Sequence, residues 1–318
     1  MDQSIRIRGW QLRGVARIQR GFQGNEKEVN REERGKKTGQ WTGRWDKMPV
    51  CWRLWWRRQI ESKYSMQPPA VPAILVTGSA RRVGATIART LHAAGANVII
   101  HFNRSRGDAE GLVNELNAIR ANSAAAVQGD LLDAKILAAL IDQAQGCFDR
   151  LDGLVNNASS FYATPLGKIS EDHWLDLIGS NLKAPLFLSQ AAAPYLRKSR
   201  GSIVNIVDIH SDRPLKDFVV YTAAKAGLAG LTRALALDLG PEVRVNGVSP
   251  GAIMWPEPGH GNPDDYPEAE RRRIVQQTPL KRVGSAEDIA GAVKYLMLDA
   301  PYVTGQILAV DGGREIVL

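Results

Sequence analysis

From about residue 71 to its end, the sequence predicts an α/β domain built on one doubly wound parallel sheet with helices on both faces. Three observations carry that expectation. Strand-like and helix-like segments alternate along the chain. The strand-like segments are continuous apolar runs, as in strands buried on both faces. The first of them leads through a glycine-bearing turn straight into a helix. Residues 73–77 form the first short apolar run, and residues 84–95 then set Ile87, Leu91 and Ala94 on one side at helical spacing. Val98, Ile99 and Ile100 mark a second strand over 97–102, and Leu112, Leu116 and Ile119 mark the helix behind it. Residues 124–128, 151–156, 202–207 and 243–248 read as further buried strands, separated by helical stretches that include 172–188 and 222–239. Ligands of such sheets bind beyond the carboxyl ends of the strands, where the strand order reverses.

The formal charge of +8 is not spread along the chain. Residues 1–66 hold 16 Lys and Arg against 7 Asp and Glu, whereas the remainder holds 25 against 26. The basic excess therefore says nothing about the α/β domain, which is not a nucleic-acid binder by charge. Six of the eight tryptophans also lie in residues 1–66, where no helical or strand period builds an apolar face. That segment is expected to be disordered or not genuinely translated, with translation starting at Met66. Two readings compete with this: a tail touching nucleic acid or anionic lipid, and an organelle address, against which Glu26, Glu28, Glu32 and Glu33 count. No run is apolar enough for a signal peptide or a bilayer span, so no membrane partner is expected, and the balanced charge of the α/β domain leaves no nucleic-acid partner expected either. Two cysteines, Cys51 and Cys147, make no disulfide scaffold and point to a reducing compartment, the cytoplasm. Five scattered histidines show no metal-ligand spacing, so no metal is expected.

The first strand runs into Thr77-Gly78-Ser79-Ala80-Arg81-Arg82-Val83-Gly84. Gly78 permits a tight turn, Gly84 lets the helix approach the sheet, and the helix N-terminus offers N–H groups and a positive dipole to a pyrophosphate. The second strand ends His101-Phe102-Asn103-Arg104-Ser105. An NAD site usually places an acid there; a cation and a hydroxyl suit a 2′-phosphate, so NADPH is expected over NADH. The plainer alternative is a solvated loop arginine. Tyr221 and Lys225, four apart at the start of a helix, share one face, where the ammonium stabilises phenolate. Taken alone, such a pair also arises by chance.

With these features the chain resembles the short-chain dehydrogenase/reductase family from about residue 72 onward. The signposts are the turn ending at Gly84, Asp130, Asn156-Asn157-Ala158, Asn181, the Tyr221/Lys225 pair, Pro250-Gly251 and Val310-Asp311-Gly312-Gly313. The resemblance implies a single Rossmann-type NADPH-binding reductase domain over 71–318. It implies that Gly78, Arg82, Val83, Gly84, Asn103, Arg104, Ser105, Asp130, Leu131, Asn157, Ala158, Ser159, Tyr221, Lys225, Pro250 and Gly251 surround the cofactor. Asn181 would extend a proton relay from the lysine, and the helices 172–188 and 222–239 would assemble a homotetramer.

Two residues depart from the usual family pattern: Arg82 stands where a glycine is usual, and Asp208 stands thirteen residues before Tyr221 where a serine is usual. Both, with Asn157-Ala158-Ser159-Ser160-Phe161, are similar to what bacterial pteridine reductases show. On that resemblance Asp208, Tyr221, Lys225 and Asn181 are the catalytic set, and Arg82, Ser159, Phe161, Asp208, Tyr221 and Trp255 meet a pterin or folate substrate. The chemistry agrees with it. A pterin presents ring nitrogens and a flat π surface rather than a lone carbonyl, so Phe161 offers a stacking face and Arg82 a cation. The rival readings are a 3-oxoacyl or other carbonyl reductase and a non-catalytic NADPH-binding regulator. Residues 260–273, polar and charged, are expected to form a mobile lid, with Trp255 walling the pocket, and His210 is expected to face solvent.

Overall fold

The computed structural model describes residues 71–255 and 267–318, all within the unit Pro69–Leu318. The expectations for residues 1–66, and for residues 260–266 of the expected lid, lie outside the described residues.

Seven parallel strands run in the order β3-β2-β1-β4-β5-β6-β7. They are β1 Ala73–Val76, β2 Asn97–Phe102, β3 Ala124–Gln128, β4 Gly153–Asn156, β5 Ser202–Ile206, β6 Arg244–Pro250 and β7 Ile307–Val310. The order reverses beside β1, whose neighbours are β2 on one side and β4 on the other. The turns leaving β1 and β4 diverge there and open the crevice that such sheets use for ligands.

The period of two along each strand decides which helices it meets. In β1, Ile74 and Val76 join one apolar cluster while Ala73 and Leu75 join the other. The first cluster is closed by α1 (Arg82–Ala93) and α2 (Arg106–Ile119), through Ile87, Leu91, Leu112 and Leu116. The second receives α3 (Leu137–Gly146), with Leu140 and Ile141 fully covered. Each such side chain contributes about 1.5–3 kcal/mol by leaving water, so the two layers, not any single contact, hold the sheet.

On that second side, α4 (Glu171–Ile178) begins at a capping box between Ser170 and His173. The expected single helix over 172–188 is interrupted: a π turn, Gly179–Lys183, separates α4 from α5 (Ala184–Ser199). Such turns widen the helix by one residue per turn and re-aim a side chain, here Asn181. The long helix α6 (Val219–Leu239) starts three residues earlier than the sequence suggests. Beyond β6, α7 (Glu268–Gln277) takes in residues 268–273 of the stretch expected to be a lid, and α8 (Ala286–Lys294) closes the first apolar layer. β7 is absent from the sequence reading because it is a half-exposed edge strand, with Leu308 and Ala309 open to solvent. Among the described residues no helix is long and apolar enough to cross a membrane, and no group of His, Cys, Asp and Glu is placed to hold a metal.

Candidate active site

The turn after β1 is tied down from three directions. Gly78 takes φ +60°, and a Cβ on Gly84 would stand 2.4 Å from the Gly78 carbonyl oxygen and 2.7 Å from Asn157 Nδ2. From β4, Asn157 Nδ2 donates to the carbonyls of Thr77 (2.8 Å) and Gly78 (3.1 Å), while Thr77 Oγ1 accepts from the N–H groups of Asn157 and Ala158. From β2, the buried His101 accepts the Gly78 N–H on Nδ1 at 3.0 Å, which leaves the ring proton on Nε2, 3.2 Å from the Gly129 carbonyl. Burial pushes the His101 pKa down to about 4, against the Gly129 hydrogen bond and the Asp130 charge, which raise it.

The fold thus binds His101 neutral, and the unfolded chain takes up its proton first. This residue's contribution to stability is complete above about pH 6.5 and is lost as pH falls toward 4, a difference of about 3 kcal/mol. Urea unfolding over that range should show a shallower pH slope in His101→Gln than in wild type; equal slopes would remove His101 from the acid limb.

α1 begins without a side-chain cap and without an acid in its first turn, so its N–H groups would meet an anion unopposed. Arg82, at the first helical position, holds φ +53° and is exposed. That left-handed backbone suits the glycine usual there and strains an arginine, a cost met at ligand-binding turns. Val83 and Gly84 follow it into the helix. At the end of β2, Asn103 and Arg104 are exposed and Ser105 precedes α2 without capping it through its side chain. The acids nearby are neutralised: Asp108 pairs with Arg81 at 3.6 Å and Glu110 with Arg106 at 3.3 Å. Asp130 lies exposed past β3, next to the buried Leu131, and Pro250-Gly251 packs so closely on Asp311 that a Cβ on Gly251 would be 2.7 Å from its Cα. A glycine cradle, an uncapped helix N-terminus and a basic end of β2 fit a dinucleotide with a phosphorylated ribose.

Past the end of β5 the backbone passes through Val207 to Asp208, and a short 3₁₀ turn, Ile209–Ser211, follows. Asp208 Oδ1 accepts the His210 N–H at 2.9 Å, which turns Oδ2 toward α6, where the Tyr221 hydroxyl donates to it at 2.6 Å. Lys225, one turn along α6, is buried; its Nζ donates to the Ile206 carbonyl at 2.8 Å and lies 5.7 Å from the Tyr221 ring centroid. Burial lowers the Lys225 pKa to about 8, while the Asp208 carboxylate raises it. Tyrosine, ammonium and carboxylate therefore meet at one point.

The remaining residues surround that point unevenly. Asn181 binds Ser159 Oγ (2.6 Å) and the carbonyls of Ser160 and Leu177, none of them Lys225. Phe161 stacks on Phe218 at 4.7 Å, meets the Tyr221 ring edge-on at 4.8 Å, and is 45% exposed. Trp255 is placed against α7, with the Arg271 guanidinium 5.3 Å from its ring. His210, half-buried, bonds through Nδ1 to the Arg213 carbonyl. Sequence reasoning misses the His101 bridge, Phe218 and the Asp176 carboxylate described below. For His101 a signal existed: a polar residue inside an apolar strand needs a buried partner.

A family model described as enoyl-(acyl carrier protein) reductase matches residues 78–315. Pteridine reductase 1 of Leishmania tarentolae is 39% identical over 289 residues, covering 78% of this chain and 98% of its own length. 3beta-hydroxysteroid dehydrogenase 1 of Eggerthella lenta is 36% identical (76% and 93% covered), and 3-oxoacyl-[acyl-carrier-protein] reductase of Staphylococcus aureus is 35% identical (75% and 96%). These relatives share one kind of chemistry and differ in substrate, and the parallel sheet and its crevice agree with them. The chain belongs to the short-chain dehydrogenase/reductase family of nicotinamide-dependent oxidoreductases.

Proposed function

We propose that the chain is an NADPH-dependent pteridine reductase that converts a dihydropterin, such as dihydrobiopterin, dihydromonapterin or dihydrofolate, to its tetrahydro form and also accepts oxidised pterins. The observation that carries the reading is the Asp208–Tyr221 hydrogen bond at 2.6 Å, a carboxylate where a carbonyl reductase would hold a hydroxyl, with the open ring of Phe161 beside it. A carboxylate accepts from the N–H groups of a pterin, whereas a carbonyl oxygen needs a donor.

The α1 N-terminus, Arg82 and Arg104 would hold the phosphates of NADPH, with Tyr221 and Lys225 toward its nicotinamide end. When bound, NADPH supplies hydride to C6 of a dihydropterin or C7 of an oxidised one. Phe161 offers the plane on which the pterin lies, and Arg82 a cation toward its oxygen and N5 side. The Tyr221 hydroxyl, kept in line by Asp208, delivers the proton to N8 of an oxidised pterin, and Lys225 stabilises the phenolate left behind. N5 of a dihydropterin takes its proton from water.

Asp208→Ser tests this. It should cut dihydropterin turnover about a hundredfold and raise activity on an acetoacetyl thioester. Pterin turnover unchanged by the swap would remove Asp208 from pterin selection, whereas wild-type turnover of the thioester alone would favour the second reading, a 3-oxoacyl reductase, which the Staphylococcus aureus relative supports. The same proposal includes a homotetramer assembled through α4, α5 and α6, whose outer faces expose Trp174, Leu175, Phe187 and Leu237. It also takes the cytoplasm as the compartment, supported by two cysteines in the chain, of which Cys147 is a free thiol.

A further inference from the structure

The segment that carries Phe161 out of β4 is held by side chains rather than by backbone pairing. Between Asn157 and Thr164 the described residues supply no main-chain to main-chain hydrogen bond. Instead Ser160 is gripped three times: its N–H donates to Ser180 Oγ (3.4 Å), its carbonyl accepts from Asn181 Nδ2 (2.9 Å), and its hydroxyl donates to Asp176 Oδ1 (3.0 Å). On the other side of Phe161 stands the half-buried Tyr162, whose phenol feels the same Asp176 carboxylate. Burial, then the hydrogen bond to Asp176, pushes that phenol up to about 12. The His173 ring braces Tyr162 edge-on at 5.7 Å. One chain neighbour of Phe161 is therefore bonded to a carboxylate on α4, and the other is braced by His173 of the same helix.

We propose that Asp176 is a positioning residue for the substrate: by fixing Ser160 it sets the plane of the Phe161 ring on which a flat heterocycle stacks. The inference rests on the reading of Phe161 as a substrate platform. Asp176 acts through that ring: its carboxylate bonds to the loop that carries Phe161, whereas Asp208 bonds Tyr221 and Lys225 bonds the Ile206 carbonyl. A side-chain bond from a helix stiffens a loop that has no ladder of its own.

Steady-state kinetics of the full chain with NADPH and dihydrobiopterin provide the test. Asp176→Ala should raise KM for the pterin about three- to tenfold, the worth of one well-placed aromatic contact, with kcat and the NADPH Kd within about twofold. Asp176→Asn, which keeps an acceptor for Ser160, should restore most of the affinity. In a Phe161→Ala background, Asp176→Ala should add nothing further, because the two substitutions remove the same contact. A KM that does not move, an additive effect in that background, or a parallel loss of NADPH affinity would each overturn the proposal. Fluorine NMR with para-fluorophenylalanine at position 161 reads the ring without any substrate: Asp176→Ala should shift and broaden its resonance, and an unchanged resonance would overturn the inference. If wild type reduces no pterin while that resonance still moves, the proposed function fails and the positioning role stands.

Discussion

Tyr221→Phe is expected to lower the reduction of an oxidised pterin about a thousandfold while leaving the NADPH Kd within about threefold of wild type. The variant loses one atom, the oxygen that donates to Asp208 at 2.6 Å. The ring stays, still edge-on to Phe161 at 4.8 Å, and the buried Lys225 keeps its bond to the Ile206 carbonyl, so the walls of the site persist. What disappears is the phenol on the Asp208 carboxylate, and with it the proton aimed at N8. Dihydropterin reduction should fall much less, because its N5 proton comes from water. Stopped-flow measurement of the two half-reactions separates these outcomes; equal losses for both would assign Tyr221 to binding rather than to proton delivery.

Gly84→Ala is expected to weaken NADPH binding by at least about a hundredfold, with the far-ultraviolet circular dichroism of the sheet retained. The added methyl would stand 2.4 Å from the Gly78 oxygen, 2.7 Å from Asn157 Nδ2 and 2.8 Å from the Ser79 Cα. None of the three can retreat cheaply. Gly78 is fixed by His101 and by its own positive φ, and Asn157 by two carbonyls of the same turn. Relief must come from lifting the α1 N-terminus off the sheet, a displacement costing about 3 kcal/mol that moves the N–H groups meant for the phosphates. Fluorescence titration with NADPH reads the loss directly. Unchanged affinity would mean that the turn is softer than its three tethers indicate.

How much of this was legible beforehand depended on the range of the interactions concerned. β2 and β3 were readable to the residue because β-branched and small apolar side chains fill 97–102 and 124–128 between polar turns. The edge strand β7 was not, since only one side of it is covered and its pattern is no different from a loop's. The helical run 172–188 keeps its spacing straight through the π turn at Gly179, so periodicity cannot find the break that re-aims Asn181. Tyr221 and Lys225 are four apart in one helix and could be paired from sequence; the Asp208–Tyr221 bond joins the end of β5 to α6 and needs the fold to close. His101 and Asp176 lie further out of reach. Their partners are 23 and 28 residues away in one case and 16 in the other, and only the strand order and the post-β4 loop bring them together. Trp255, expected to wall the substrate pocket, is placed against Arg271 of α7.

The central claim is that a carboxylate and a phenol beside an open aromatic ring select a pterin. The most direct measurement of it is NADPH oxidation by the purified full-length chain, with dihydrobiopterin, dihydrofolate and an acetoacetyl thioester assayed side by side. The account predicts turnover of a dihydropterin that exceeds thioester turnover by at least about a hundredfold in kcat/KM. Turnover of the thioester alone would contradict it and leave a carbonyl reductase on the same fold.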